Sequence, residues 1–144
     1  MTWRPSAERR RYGVRVDLVV LADYATVTAD QKLVIVGVFD SILASSLPMR
    51  LPSIYVALRV CSGPVDNGDH TLILRLVNPD GQPVAPELKA DFNVQVPLDS
   101  EGEGALQIVM GMSNVEFKVP GPYAVDVLID DRYEETVALR LQGP

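Results

Sequence analysis

The chain has 144 residues, 47% of them hydrophobic and 22% charged, with a net charge of −6. That length and apolar share suit one domain with its own core, and the sparse, scattered charge excludes an intrinsically disordered chain. The charge is unevenly divided: residues 1–13 hold four arginines and one glutamate, net +3, whereas the remainder holds nine basic against eighteen acidic side chains, net −9. An acidic body of this kind repels nucleic acid and anionic membrane, so neither is expected as a partner.

Arg4, Arg9, Arg10 and Arg11 make the start basic. Residues 1–13 are expected to be a disordered, solvated tail, with 14–144 as the single folded domain. No long apolar run follows the arginines, because Asp17 and Asp23 bracket residues 18–22. That argues against a cleaved export signal, and no stretch approaches the ~20 apolar residues of a spanning helix. Cys61 is alone, which rules out an internal disulfide and a metal-binding cysteine pair and fits a reducing, cytoplasmic setting.

From residue 14 onward the pattern is alternation with period two, the signature of strands with one buried face. Val14, Val16, Leu18, Val20 and Ala22 form one row, and Leu33, Ile35, Gly37 and Phe39 a second. Asp30 and Gln31 between them predict a hairpin. A third row is Ile54, Val56, Leu58 and Val60, and a fourth is Leu72, Leu74 and Leu76. Residues 62–69 separate the two, with Asn67-Gly68 supplying residues that tolerate positive φ.

Beyond the Asn78-Pro79-Asp80-Gly81 turn, Leu88, Ala90, Phe92, Val94 and Val96 oppose Lys89, Asp91, Asn93 and Gln95, a strand wet on one side. Further strands are predicted near 105–112, 115–119, 123–129 and 136–141. The expectation is an all-β chain forming an antiparallel sandwich of about eight strands. In Pro120-Gly121-Pro122-Tyr123, a tyrosine follows a tight turn and opens an alternating strand. It resembles a tyrosine corner, which favours an immunoglobulin-like architecture.

Chemistry-bearing motifs are sparse. His70 is the sole histidine, and a hairpin over residues 61–70 would set it opposite Cys61 as a thiol–imidazole pair. Against that, Cys61 ends a strongly apolar strand, where a thiol behaves as a small inert hydrophobe. Acids gather at Asp66 and Asp69, at Asp99, Glu101 and Glu103, and at Asp130, Asp131, Glu134 and Glu135. They offer hard oxygen ligands for calcium without the spacing of an EF-hand, and solvated turn acids are the simpler explanation. There is no phosphate-cradling glycine loop, zinc-ligand set or nucleophile elbow, so no catalytic residue, metal ligand or cofactor is assigned.

Apolar residues also fall on the face that alternation leaves outside. Val34, Val36 and Val38 oppose the second row, and Val19 and Leu21 oppose the first. Something should cover them. One candidate is the segment 41–51, with Ile42, Leu43, Leu47, Met49 and Leu51. The other is a second copy or a partner protein meeting a surface built from Val19, Leu21, Val34, Val36, Val38, Ile42, Leu43, Leu47 and Met49.

Leu21-Ala22-Asp23-Tyr24-Ala25, Lys32-Leu33 leading to Gly37-Val38-Phe39-Asp40, Pro48 and the strand over 55–60 resemble a bacterial domain-of-unknown-function family of about this length. The resemblance extends to Gly68-Asp69-His70, Asp80-Gly81 and Gly121-Pro122-Tyr123 and omits the arginine-rich start. It implies a compact β domain in a bacterial cytoplasm and carries no activity. Asp23, Tyr24 and Asp40 are the polar members of these motifs and form a candidate polar site, although turn acids also bond backbone and a strand-end tyrosine also packs its ring. The functional expectation is a non-enzymatic interaction or assembly module. The alternative is a sandwich that binds a small ligand or calcium through acidic loops.

Overall fold

The structure, a computed structural model, describes Thr2–Trp3, 13–99 and 102–144. The expected disordered tail falls largely on residues outside that set. The described residues form ten strands: β1 Thr2–Trp3, β2 Arg15–Val27, β3 Leu33–Phe39, β4 Ser41–Leu43, β5 Met49–Ser62, β6 Gly68–Val77, β7 Leu88–Val94, β8 Gly104–Phe117, β9 Gly121–Ile129 and β10 Arg132–Gln142. A 3-10 turn, Pro64–Asp66, lies between β5 and β6. No helix among the described residues is long and apolar enough to cross a membrane.

Two sheets make an antiparallel sandwich. The first has the order β1-β2-β5-β8, with β3 also paired to β2, and the second the order β4-β10-β9-β6-β7. Only β4 runs parallel to its neighbour, β10. Taken in chain order, β10-β9-β6-β7 corresponds to the G-F-C-C′ sheet of an immunoglobulin variable-type domain, and β2-β5-β8 to A-B-E. The tyrosine corner confirms that assignment at the expected strand. Tyr123, 3% exposed at the start of β9, donates from Oη to the Val119 carbonyl at 2.6 Å and meets Phe117 edge-on at 5.0 Å. The architecture is immunoglobulin-like.

The inter-sheet core takes the rows expected of β5 and β6, namely Ile54, Val56, Leu58 and Val60 against Leu72, Leu74 and Leu76. β2 departs from strict alternation. Val16 pairs with Val60 and Leu18 with Arg59, so Asp17 is an extra residue on β2. This bulge shifts the inward face by one position, and Val14 and Val16 are followed inside by Val19 and Leu21 rather than by Leu18 and Val20. Asp17 itself is buried, with Oδ2 accepting from Arg59 Nη1 at 3.2 Å.

Leu18 and Val20 face the other way, into a second cluster on the outside of the first sheet, with Ala25, Leu33, Ile35, Tyr55, Ala57 and Val109. The β2–β3 hairpin covers this cluster. Pairing of β2 with β5 ends at Ala22↔Tyr55, whereas its pairing with β3 continues to Val27↔Leu33. Past Ala22 the hairpin leaves its sheet and folds back over the outer face. Its tip reaches β8, where Gln107 Nε2 donates to the Gln31 carbonyl at 3.0 Å.

Candidate interaction surface

The hairpin is built from residues that favour strands and lacks charge between Lys32 and Asp40. Leu33 and Ile35 pack inward on the outer cluster, and Phe39 reaches the inter-sheet core. Alternation then sends Val34, Val36 and Val38 to solvent, where they are 40%, 54% and 47% exposed. Among the described residues β3 pairs with β2 alone, so its second edge is open. An uncharged edge strand carrying three exposed valines is the kind of surface that soluble proteins cover or blunt.

The remaining members of the expected surface are dispersed. Val19 and Leu21 are buried in the inter-sheet core, at 0% and 1% exposure, because of the Asp17 bulge. Segment 41–51 does not cover β3. It crosses to the second sheet, where β4 joins β10, and Ile42, Leu47 and Met49 pack on the rim of the core. Leu43 is exposed on that far edge. The relation expected of the hairpin is thus reversed: its inner face is itself the cover, and its outer valines remain open.

Asp23 and Tyr24 lie at the bend where β2 leaves β5. The Asp23 carboxylate lies against Gly37, which has φ +70, and the Tyr24 ring meets Tyr55 edge-on at 5.3 Å. Asp40 lies where the chain leaves β3, its carbonyl accepting from Arg140 N–H at 2.8 Å. These polar residues shape the hairpin and mark its ends.

Cys61 and His70 do not form a catalytic pair. Cys61 lies in β5 between Arg15 and Ala105, and His70 lies in β6 of the other sheet opposite Phe92. Both imidazole nitrogens are committed, Nδ1 to Asp130 Oδ2 and Nε2 to the Asp66 carbonyl, each at 2.6 Å. Both partners accept, so the protonated ring satisfies both contacts. Burial works against that charge but is outweighed by the Asp130 hydrogen bond, the Asp66 carbonyl and the attraction of both acids, and the pKa of His70 is raised from its usual 6.5. Asp130 also accepts from Thr71 N–H at 3.0 Å. The histidine therefore ties the 3-10 turn, the start of β6 and the β9–β10 turn together.

Among the described residues, no three His, Cys, Asp or Glu side chains gather to hold a metal ion. A cleft of about 560 Å³ opens between the Asn78–Val84 region and the end of β8, floored by Tyr123 and Val119. Two of its lining charges pair with each other, Arg50 Nη2 lying 2.7 Å from Glu116 Oε2.

The model of a family of unknown function, DUF6941, matches residues 17–142. The chain belongs to that family. The matched span contains the folded-back hairpin, the His70 contacts and the tyrosine corner. No curated protein matches the chain. Among solved structures, the alkylpurine DNA glycosylase AlkC of Pseudomonas fluorescens, bound to DNA containing an abasic site analog, aligns with a TM-score of 0.51 at 11% identity. The alignment covers 91% of this chain and 31% of the glycosylase, so the likeness is one of fold over about a third of that protein. An immunoglobulin-like protein from Pseudomonas aeruginosa aligns at TM-score 0.42 and 18% identity, over 92% of this chain and 98% of that one. A β-glucosidase from Listeria innocua in complex with isofagomine aligns at TM-score 0.46 and 9% identity, over 88% of this chain and 16% of the enzyme.

Proposed function

We propose that this domain is a non-enzymatic protein-interaction module of the bacterial cytoplasm, and that it docks through the outer face of the β2–β3 hairpin. The observation that carries this reading is the exposure of Val34, Val36 and Val38 on an uncharged strand whose second edge is open among the described residues. Contiguous exposed apolar surface next to an unpaired edge is characteristic of protein docking by strand addition. Two further features favour a binding role over catalysis: both nitrogens of the sole histidine are occupied, and the sole thiol is buried. The acidic body is suited to a protein partner and poorly suited to nucleic acid.

The test is site-specific crosslinking in cells, with a photo-reactive amino acid in place of Val36 and, as a control, in place of Lys89 on the polar face of β7. Protein adducts at position 36 and none at position 89 are expected. Absence of adducts at position 36 would remove the reading.

A further inference from the structure

The composition of β3 goes further than exposure, because it is complementary to itself. Lys32, Val34, Val36, Val38 and Asp40 alternate along one strand and its two flanks, all five exposed. Reversing this row about Val36 superposes valine on valine and sets Lys32 on Asp40. A two-fold, antiparallel strand pairing requires that relation, because each residue then meets its mirror position on the second copy.

Resting on the interaction reading above, we propose that the occupant of this face is a second copy of the chain, with β3 pairing antiparallel to β3 about a two-fold axis at Val36. Val36 then lies opposite its counterpart, Val34 opposite Val38, and Lys32 of each copy opposite Asp40 of the other. Side chains directly opposite on antiparallel strands contact one another, and opposite charges there are favourable where like charges are not. The backbone groups on the open edge of β3 gain partners, and the two β2–β3 hairpins continue into each other across the axis.

The end charges are free to play this part. Lys32 Nζ lies 3.1 Å from Asp30 Oδ2, but those side chains are 75% and 64% exposed, and so open a pair is weak enough to exchange partners. The Asp40 side chain is exposed, and its carbonyl, not its carboxylate, is used by β10. The valines supply the association and the charges set its register, since parallel or shifted pairings would lose the Lys32–Asp40 contacts. A partner of unrelated sequence would have no need of this symmetry.

Sedimentation across a concentration series tests the pairing, using the full chain and the variants Val36→Lys, Lys32→Asp, Asp40→Lys and the double charge exchange. The wild type is expected to pass from monomer to dimer as concentration rises. Val36→Lys, which brings two ammonium groups together on the axis, should raise the dimer Kd by about tenfold or more. Each single charge exchange should raise it by roughly twofold to fivefold, and the double exchange should return it to near the wild-type value. Circular dichroism checks that each variant folds, as the exposure of all three positions leads one to expect.

A wild type that stays monomeric at every concentration overturns the pairing, as does a dimer unaffected by Val36→Lys. A double exchange no better than the singles overturns the two-fold register. Failure of the pairing is separable from failure of the interaction reading: a monomeric protein whose position 36 still crosslinks to a different protein loses only the pairing, whereas loss of all adducts at position 36 removes both.

Discussion

Asp23 of β2 and Gly37 of β3 approach across the hairpin so closely that a Cβ on residue 37 would lie 2.8 Å from Asp23 Cγ and nearer still to its Oδ2. Gly37 also has φ +70, a conformation costly for any residue with a side chain. Bend and close approach coincide at the point where the hairpin leaves its sheet. Gly37→Ala is therefore expected to destabilise the domain by about 2 kcal/mol or more in urea unfolding, combining backbone strain with the steric clash. Adding Asp23→Ala should remove the carboxylate from the clash and recover part of the loss, leaving about 1 kcal/mol or more from the backbone and from the 3.1 Å approach to the Cβ of residue 23. An unchanged midpoint for Gly37→Ala would show that the bend does not depend on that glycine.

His70 should give the fold a pH dependence of known sign. Its folded pKa is raised, so its contribution is complete below the unfolded value of about 6.5 and is lost as pH rises through the higher folded value. The Asp130 pKa is lowered: burial opposes this but is outweighed by the His70 and Thr71 hydrogen bonds and by the charges of His70 and Arg132. Its contribution is complete above about 3.9 and is lost as pH falls through the depressed value. Both contributions are present together between about pH 4 and 6.5. Because the chain has one histidine, its imidazole NMR signals should titrate above 6.5 without ambiguity. His70→Ala should flatten the change in stability between pH 6 and pH 8. A wild-type midpoint that titrates at or below 6.5 would contradict the geometry.

Local signals in the sequence survive in the fold, and long-range ones are hidden from it. The rows in β5, β6 and β7 face the core as their alternation requires, and Pro120-Gly121-Pro122-Tyr123 announces the tyrosine corner, because turn and strand chemistry act within a few residues. The Asp17 bulge shows why alternation failed in β2: one extra residue exchanges the two faces, and Val19 and Leu21 pass from the expected surface to the core. A turn at 62–69 was legible, but its strands enter different sheets, a choice set by packing partners remote in sequence. Asp130, sixty positions from His70, was visible only as one of several turn acids. Of the candidate surface, the exposed row Val34, Val36 and Val38 was legible from period two alone. The role of Leu33 and Ile35 as a cover depends on the hairpin folding back, which no local pattern encodes.

The tyrosine corner should be measurable as a stability term. Tyr123→Phe keeps the ring against Phe117 and removes only the hydroxyl that donates to the Val119 carbonyl at 2.6 Å. A loss of about 1–2 kcal/mol is expected in chemical unfolding, with unchanged circular dichroism and oligomeric state. A cost near zero would mean that water replaces the lost donor and that the corner is not a fixed point of the fold.

Cys61 provides the check on any catalytic reading. It is 2% exposed in β5, flanked by strands on both sides, so attack by a disulfide reagent must await local opening. Reaction in the native protein should be slower than in denaturant by about two orders of magnitude or more. His70→Ala should leave the native rate unchanged apart from any effect of lower stability, because its ring nitrogens are held by Asp130 and the Asp66 carbonyl and none is available to take a thiol proton. Fast native reaction that also fell on removal of His70 would establish thiol–imidazole coupling and overturn the non-enzymatic reading. Slow reaction with no dependence on His70 leaves the thiol as a packed apolar group of β5.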